Sequence, residues 1–281
     1  MKKAVLLLIL LFAGRSFAQT DTVNINPWVP SFVIGVGINQ IAFTNWVKGG
    51  ENSISWTLSG NFKYDKVGEE WTFRNQIKGA YGRSKVGEAT YRTTDNDLYI
   101  ENLASYNIGW SVNPFFSNAV RTQISKGYDY KSNLASPPNI SDLFDPGYIT
   151  QTIGFTYDQY KKIITRFGLA FQEVITNKFT QYSDDPKTTE IEKFKFETGV
   201  ESVTDFDFTI DTNINWKSKL RFFSRFESLD VWDVYWDNSI TASVNSWLKV
   251  NFGYTMLHEV AQSKKTQIRQ GLQIGITYTI L

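Results

Sequence analysis

Hydrophobic and polar residues alternate along the segment from Phe208 to Phe222. Six of its eight even-numbered positions are apolar, and none of its seven odd-numbered positions is. Because successive side chains of a β-strand point to opposite faces, the pattern predicts a strand with one apolar face and one polar face. Strands of soluble proteins usually have about 5–6 residues, whereas a tilted strand needs about 9–11 to cross a membrane. The segment therefore predicts a membrane-spanning strand.

The same alternation recurs along most of the chain and predicts about twelve strands. It is clearest in residues 52–64 and less regular in residues 95–108, where Tyr99 and Leu103 share a face with Glu101. The predicted strands are 31–43, 52–64, 71–84, 95–108, 113–126, 147–157, 162–176, 191–204, 207–225, 231–244, 247–258 and 266–281. The predicted fold is all-β: a transmembrane up-and-down antiparallel β-barrel.

Short and longer connections alternate between the predicted strands, as they do between the periplasmic and extracellular ends of outer-membrane barrels. Short turns are predicted at Asp205 and Asn245-Ser246, and Gly127–Pro146 is the longest predicted loop. Gly49-Gly50 and residues 145–147 contain the glycine and proline typical of tight turns. An even number of strands places both termini on one side, which we expect to be the periplasm.

The strands of a soluble β-protein would show the same alternation of apolar and polar residues. Three features disfavour it: the length of the strands, the regular up-and-down turns, and the mixed charge along the polar face. Twelve strands also enclose more volume than the interior of an eight-stranded barrel, which is just wide enough for side chains to fill it.

The N-terminus has the features of a secretory signal. Lys2 and Lys3 precede the apolar run Ala4–Ala13, which is too short to be a spanning helix. Small residues favour cleavage after Ala18, and the next residue, Gln19, is not the cysteine of a lipoprotein. The predicted organisation is a signal peptide at 1–18, a periplasmic lead-in at 19–30 and a barrel at 31–281.

The composition agrees with this prediction and excludes some functions. The mean hydropathy is only −0.29, as expected where half of each strand is polar. The aromatic content of 16% suits interfacial girdles, for which Trp71, Trp232 and Trp236 are candidates. The absence of cysteine excludes disulfide and thiolate sites. A net charge of +1 gives no argument for binding nucleic acid.

If the apolar face points to lipid, the polar face lines the lumen. Acidic and basic residues then meet across neighbouring strands, where opposite charges pair favourably. The candidate lumen-lining residues are Arg74, Lys78, Glu101, Glu197, Glu201, Asp211, Lys217, Lys219, Arg221, Asp233 and Asp237. They form either a charged passage for solutes or a salt-bridged, occluded interior that merely satisfies buried charge.

No catalytic or cofactor site is predicted. His258 is the only histidine, so no histidine–cysteine metal site exists. It falls in the lipid-facing register with Ser263 nearby, the residue types of a lipid hydrolase, but a triad needs defined contacts that the sequence does not show. We therefore expect no enzymatic activity, no cofactor and no metal.

Three segments carry a family resemblance: NWVKGGEN (Asn45–Asn52), LFDPGYITQTIGFTYD (Leu143–Asp158) and KTQIRQGLQIGITYTIL (Lys265–Leu281). They resemble a large family of Gram-negative outer-membrane proteins known only as a domain of unknown function. The resemblance implies an outer-membrane barrel and supplies no substrate, cofactor or catalytic residue. Many such barrels end in a lipid-facing Phe, whereas this chain ends in Leu281, outside the apolar register.

We therefore expect a monomeric barrel in the outer membrane, in contact with its lipid and with the outer-membrane insertion machinery. Its expected role is a narrow pore or transporter for small polar solutes. The alternatives are a docking barrel whose extracellular loops bind a surface partner, and a lipid-active enzyme that uses His258.

Overall fold

The chain forms a closed antiparallel barrel of twelve strands, which confirms the predicted fold class. The computed structural model describes residues 28–44, 50–132, 136–185, 187–260, 263 and 265–279. The predicted signal peptide, the lead-in up to residue 27, Gly49 and the C-terminal Leu281 lie outside these residues.

The barrel strands are β1 (Val29–Ile41), β2 (Ser53–Val67), β3 (Trp71–Val86), β4 (Arg92–Tyr106), β5 (Asn113–Thr122), β8 (Gly147–Tyr157), β9 (Ile163–Ile175), β10 (Phe194–Asp211), β11 (Ile214–Arg225), β12 (Ser228–Ser243), β13 (Leu248–His258) and β14 (Gln267–Thr279). Two further strands, β6 (Gly127–Tyr128) and β7 (Asn139–Ser141), form a separate hairpin between β5 and β8. A single turn of 3₁₀-helix spans Thr180–Tyr182.

Each barrel strand pairs with its neighbours in the chain, and β1 closes the ring against β14. The register at the closure pairs Val33 with Thr279 and Gly37 with Gly275. The short-turn end of the barrel carries the connections 68–70, 107–112, 158–162, 212–213 and 244–247. The long-loop end carries the connections 42–52, 87–91, 123–146, 176–193, 226–227 and 259–266. Val29 and Thr279 both lie at the short-turn end.

The predicted turn at Asp205 is wrong. Strand β10 continues to Asp211, and the turn consists of Thr212 and Asn213. The register pairs Thr209 with Asn215 but Asp211 with Ile214, so a β-bulge accommodates one extra residue at Ile210. Next to the two-residue turn, an odd-numbered residue of β10 pairs with an even-numbered residue of β11, as Asp211 does with Ile214. Beyond the bulge, odd-numbered residues of β10 pair with odd-numbered residues of β11, so the same parity faces inward on both strands. The alternation from Phe208 to Phe222 therefore runs through a hairpin and not along one strand.

Other boundaries differ by a few residues. Strand β5 ends at Thr122 because the loop folds onto that hydroxyl, which donates to the Pro146 carbonyl oxygen at 3.1 Å and accepts from the Phe144 N–H at 2.8 Å. Strand β12 begins at Ser228, which leaves only residues 226–227 to connect it with β11. Gly50 adopts φ +123°, as expected for a glycine turn.

The outward face of the barrel is apolar and exposed over its full circumference, with residues such as Phe167, Ile274 and Ile276. Aromatic rings cluster near the short-turn end, where the Trp71 ring lies 5.0 Å from that of Tyr106. Exposed apolar patches of soluble monomers rarely exceed a few hundred Å². An apolar belt with aromatic edges is the surface that a bilayer requires.

Candidate functional site

Ion pairs between strands that are not neighbours identify the inner face of the barrel. Lys78 of β3 reaches Asp237 of β12, with 2.9 Å between Nζ and Oδ2. Strands β13, β14, β1 and β2 separate these two strands on one side of the ring. Such a contact must cross the interior, so Lys78, Asp237 and the residues in register with them point inward.

The most buried of the crossing clusters centres on Arg166 of β9. Its guanidinium donates to Glu101 of β4 at 2.9 Å and to Asp205 of β10 at 3.1 Å. Lys219 of β11 donates to the other oxygen of Glu101 at 2.7 Å and lies 5.0 Å from the ring centroid of Tyr99. Two cations thus share two carboxylates in the middle of the barrel, which satisfies charge that could not be buried alone.

A second cluster joins β8, β9, β10 and β11. Arg221 Nε donates to Glu201 at 2.6 Å, and its Nη2 donates to Gln172 at 3.1 Å. The Thr152 hydroxyl donates to the second oxygen of Glu201 at 2.5 Å. Every polar group in this cluster has a partner of opposite character, so it has the properties of a structural network.

A third cluster lies closer to the long-loop end. Arg225 pairs with Glu197 at 2.6 Å and with Asp233 at 2.8 Å, and Lys195 pairs with Glu197 at 2.7 Å. The Arg225 guanidinium also lies 5.5 Å from the ring centroid of Phe223, which is fully buried. This part of the interior is packed with ion pairs and an aromatic ring.

Two of the crossing pairs divide the interior. Lys78–Asp237 and Glu101–Lys219 both connect the neighbouring strands β3 and β4 with the neighbouring strands β11 and β12. We call the part bounded by β5, β8, β9 and β10 the packed half, and the part bounded by β13, β14, β1 and β2 the open half. Many inward residues of the packed half are buried, including Phe115, Thr152, Arg166, Gln172 and Glu201.

The open half is lined differently. None of the described residues in β13, β14, β1 and β2 is buried. The inward residues there are mainly small: Gly253 and Gly271 face each other across β13 and β14, and Ser59 on β2 is exposed. A Cβ atom placed on Gly271 would meet no heavy atom within 4 Å. Space therefore remains beside these strands.

Ten of the eleven predicted lumen-lining residues lie on the inner face. Besides the clusters above, Arg74 approaches Asp158 at 3.4 Å and Lys217 pairs with Asp207 at 3.1 Å. Asp211 instead lies at the tip of the β10–β11 hairpin, where its carboxylate accepts the Thr212 N–H at 2.7 Å. The bulge at Ile210 takes Asp211 out of the inward register. That the other ten line a passage for solutes stays a prediction.

Sequence reasoning missed several interior charges. Arg225 and Arg166 both occupy inward positions of predicted strands, and the alternation around them could have indicated this. Asp205 falls in a predicted turn, because the sequence pattern predicts the hairpin too early in the chain. Arg269, on the inward face of β14, pairs with Asp95 at 2.9 Å across the barrel, a contact that no local pattern indicates.

The proposed lipase residues do not form a catalytic arrangement in the part of the chain that the structure describes. Nδ1 of His258 lies 3.0 Å from Oγ1 of Thr266, and Oγ of Ser263 accepts the Lys265 N–H at 3.1 Å. These contacts do not join the histidine with the serine. Among the same residues, no group of acidic, histidine or cysteine side chains is arranged to hold a metal ion. None of the described helices has the length and hydrophobicity to cross a membrane.

The long-loop end is ordered by side-chain contacts between its loops. The buried Asp145 carboxylate accepts the backbone N–H groups of Asn177 at 2.8 Å and Lys178 at 2.9 Å. This links the loop before β8 with the loop after β9. Within that second loop, hydrogen bonds from the Thr188 hydroxyl and the Asp185 N–H hold the pKa of Glu192 at about 2, so this carboxylate stays ionised in mild acid.

A closed barrel with an apolar exterior, aromatic edges and a charged interior has the architecture of outer-membrane β-barrels. Residues 38–128 match a family model described as "Protein of unknown function (DUF3078)". The resemblance to a family defined as a domain of unknown function is thereby confirmed over this part of the chain.

Solved structures similar to this chain include three bacterial barrels. The translocator domain of the autotransporter NalP from Neisseria meningitidis is 9% identical with a TM-score of 0.40, covering 92% of this chain and 89% of that one. An outer membrane channel from Pseudomonas putida F1 is 9% identical with a TM-score of 0.38, covering 93% and 99%. Salmonella typhi OmpF is 12% identical with a TM-score of 0.30, covering 91% and 98%. No curated protein matches the sequence.

Proposed function

We propose that this chain is an outer-membrane pore for small polar solutes, with both termini in the periplasm. The observation that carries the proposal is exposed charge inside the barrel. Lys78 is 53% exposed, Arg269 is 49% exposed and Asp97 is 57% exposed, although all three point inward. A fully occluded interior would bury such groups even when they are paired, as the packed half buries Arg166, Glu197 and Glu201.

The chemistry of the exposed wall indicates the class of solute. Acidic and basic side chains alternate with hydroxyls, amides and glycines, and no apolar surface dominates the open half. Such a wall replaces part of the hydration shell of a polar solute and offers little to an apolar one. Small hydrophilic molecules and ions are therefore the proposed cargo.

Planar-bilayer recording of the refolded full-length mature chain tests this proposal. We expect discrete, voltage-independent conductance steps in KCl and swelling of vesicles in small neutral sugars. The same protein, heat-denatured before addition, is the control. A correctly folded barrel that gives neither current nor solute flux would contradict the pore function.

A second candidate function is docking at the long-loop end. The link through Asp145 gives the loops a fixed surface without any partner, and apolar side chains remain on it: Ile191 is 70% exposed and Leu143 is 57% exposed. Preorganised loops with exposed apolar residues are typical of protein-binding surfaces. In this proposal the barrel is a platform, and a surface partner binds the loops.

The Asp145→Ala variant tests whether this surface is preorganised. Loss of hydrogen bonds to a charged acceptor costs about 1.5–3 kcal/mol, so tryptic cleavage at Lys178 and Lys187 should become at least ~10-fold faster. Asp142→Ala, in the same loop, is the control, because the Asp142 carboxylate accepts only the adjacent Leu143 N–H among the bonds described. Equal cleavage rates in the two variants would show that Asp145 does not order the loops.

A further inference from the structure

We propose that the passage is off-centre: it runs through the open half alone, and Arg269 with Asp95 and Asp97 forms its constriction and sets its charge selectivity. This inference rests on the proposed pore function and deepens it. It assigns a route, a narrowest point and a preferred class of solute, namely small cations and neutral polar molecules over anions.

The two crossing ion pairs define the route. Lys78–Asp237 and Glu101–Lys219 form a partition between the two halves, and Arg166 reinforces it from the packed side. Behind the partition, inward side chains such as Thr152, Arg166 and Glu201 are buried and hydrogen-bonded, which leaves less space for a solute there. In front of it lie the unburied strands β13, β14, β1 and β2.

The glycine pair on β13 and β14 makes the contrast between the halves clear. Gly271 faces Gly253, and a Cβ on Gly271 would project into empty space. In the packed half Gly168 faces Gly154, and a Cβ on either residue would overlap the backbone of the partner strand. The Gly154–Gly168 pair therefore permits close strand packing, whereas Gly271 leaves the wall bare. Close approach is not confined to the packed half, because a Cβ on Gly275 of β14 would lie 2.5 Å from the Val36 carbonyl oxygen of β1.

Arg269 crosses the open half itself. Its Nη1 lies 2.9 Å from Asp95 Oδ1 and 3.1 Å from Asp97 Oδ2, so the side chain spans from β14 to β4 past β1, β2 and β3. Asp95 is held in place by Thr57, whose hydroxyl donates to Oδ2 at 3.1 Å, and Gln273 donates to that hydroxyl at 3.2 Å. A positioned ion pair therefore narrows the open half at one level.

The charges at this level determine the selectivity. Two carboxylates face one guanidinium, so Arg269, Asp95 and Asp97 together carry one net negative charge. Acidic groups at the narrowest point favour cations, because their potential acts at short range on partly dehydrated ions. The long Arg269 side chain at the same time limits the width.

Single-channel recording under a KCl gradient tests the assignment. We expect Arg269→Ala to increase the conductance and to shift the reversal potential toward stronger cation selectivity, since two unpaired carboxylates remain. We expect the double variant Asp95→Asn/Asp97→Asn to shift the reversal potential in the opposite direction, toward anion selectivity. The control is Glu201→Gln/Arg221→Met, which removes a packed-half pair and should change neither quantity.

Thiol labelling tests the route without relying on current. The chain has no cysteine, so single-cysteine variants report one position each. Gly271→Cys and Ser59→Cys should react quickly with a membrane-impermeant, water-soluble thiol reagent, and the reaction should lower the conductance. Thr152→Cys and Ala170→Cys, buried in the packed half, should react at least ~10-fold more slowly, as expected for thiols that only local opening exposes.

The outcomes separate the two proposals. A folded wild-type barrel that carries no current contradicts the pore function itself. A wild-type barrel that conducts, with Arg269→Ala unchanged or with packed-half cysteines reacting as fast as Gly271→Cys, leaves the pore function in place and overturns the off-centre route and its constriction.

Discussion

Replacing Gly168 with valine should prevent the barrel from closing. Gly168 and Gly154 pair directly across β9 and β8 and both point inward. A Cβ on Gly168 would overlap the carbonyl group of Ile153, and a Cβ on Gly154 would overlap that of Phe167. Backbone atoms of a paired strand cannot move aside as a flexible side chain can. We expect a loss of at least about 3 kcal/mol, the upper range for overpacking.

The shift in electrophoretic mobility between folded and heat-unfolded barrel measures this effect. Gly168→Val should yield little folded protein in lipid vesicles. The matched control is Gly271→Val, also an inward strand glycine with an inward glycine opposite, but with open space in front of it. Equal folded fractions for the two variants would mean that the close approach of β8 and β9 is not required.

Replacing Arg166 with methionine should destabilise the barrel by about 3–5 kcal/mol, as expected when one member of a buried ion-pair cluster is removed. Arg166 is only 5% exposed, and its removal leaves Lys219 as the single cation for Glu101 and Asp205. One of the two carboxylates then lacks full compensation in the barrel interior. Methionine keeps much of the side-chain volume of arginine. The loss of stability therefore reflects the removed charge more than altered packing.

Urea unfolding in lipid vesicles, followed by tryptophan fluorescence, measures this free energy. The control is Lys217→Met, because Lys217 and Asp207 are 58% and 52% exposed and such pairs contribute about 0–1 kcal/mol. If Arg166→Met unfolded at the same urea concentration as Lys217→Met, the central cluster would not stabilise the fold.

The alternation of side chains was enough to predict the barrel and most inward charges. It identified Lys219 and Glu101 as inward residues, because the facing of a side chain depends only on its position in a strand. It could not show that these two residues meet, since they are 118 positions apart in the chain and their contact depends on closure of the ring. Which residues meet across the lumen depends on the curvature of the sheet and on the stagger of its strands. The local alternation of apolar and polar residues specifies neither.

For the same reason, the sequence does not predict that the interior has a packed half and an open half. Small polar residues on β2 and β14 and large charged ones on β9 and β10 both satisfy the requirement for a polar inner face. Whether these side chains fill the interior depends on which residues lie opposite them across the barrel. Arg166, for example, occupies an ordinary inward position in the sequence, yet it bonds residues of two different strands.

The bulge at Ile210 means that the β10–β11 hairpin contains one spare residue. Without Ile210, Thr209 would still pair with Asn215 and Asp211 with Ile214, now in an unbroken ladder around the same two-residue turn. A deletion at this point would therefore leave the orientation of all later strands intact. A deletion in the middle of β11 would instead rotate Lys219 or Arg221 into the acyl chains. The chain can therefore lose one residue at this hairpin without a change in strand register or in the inward and outward facing of the barrel residues.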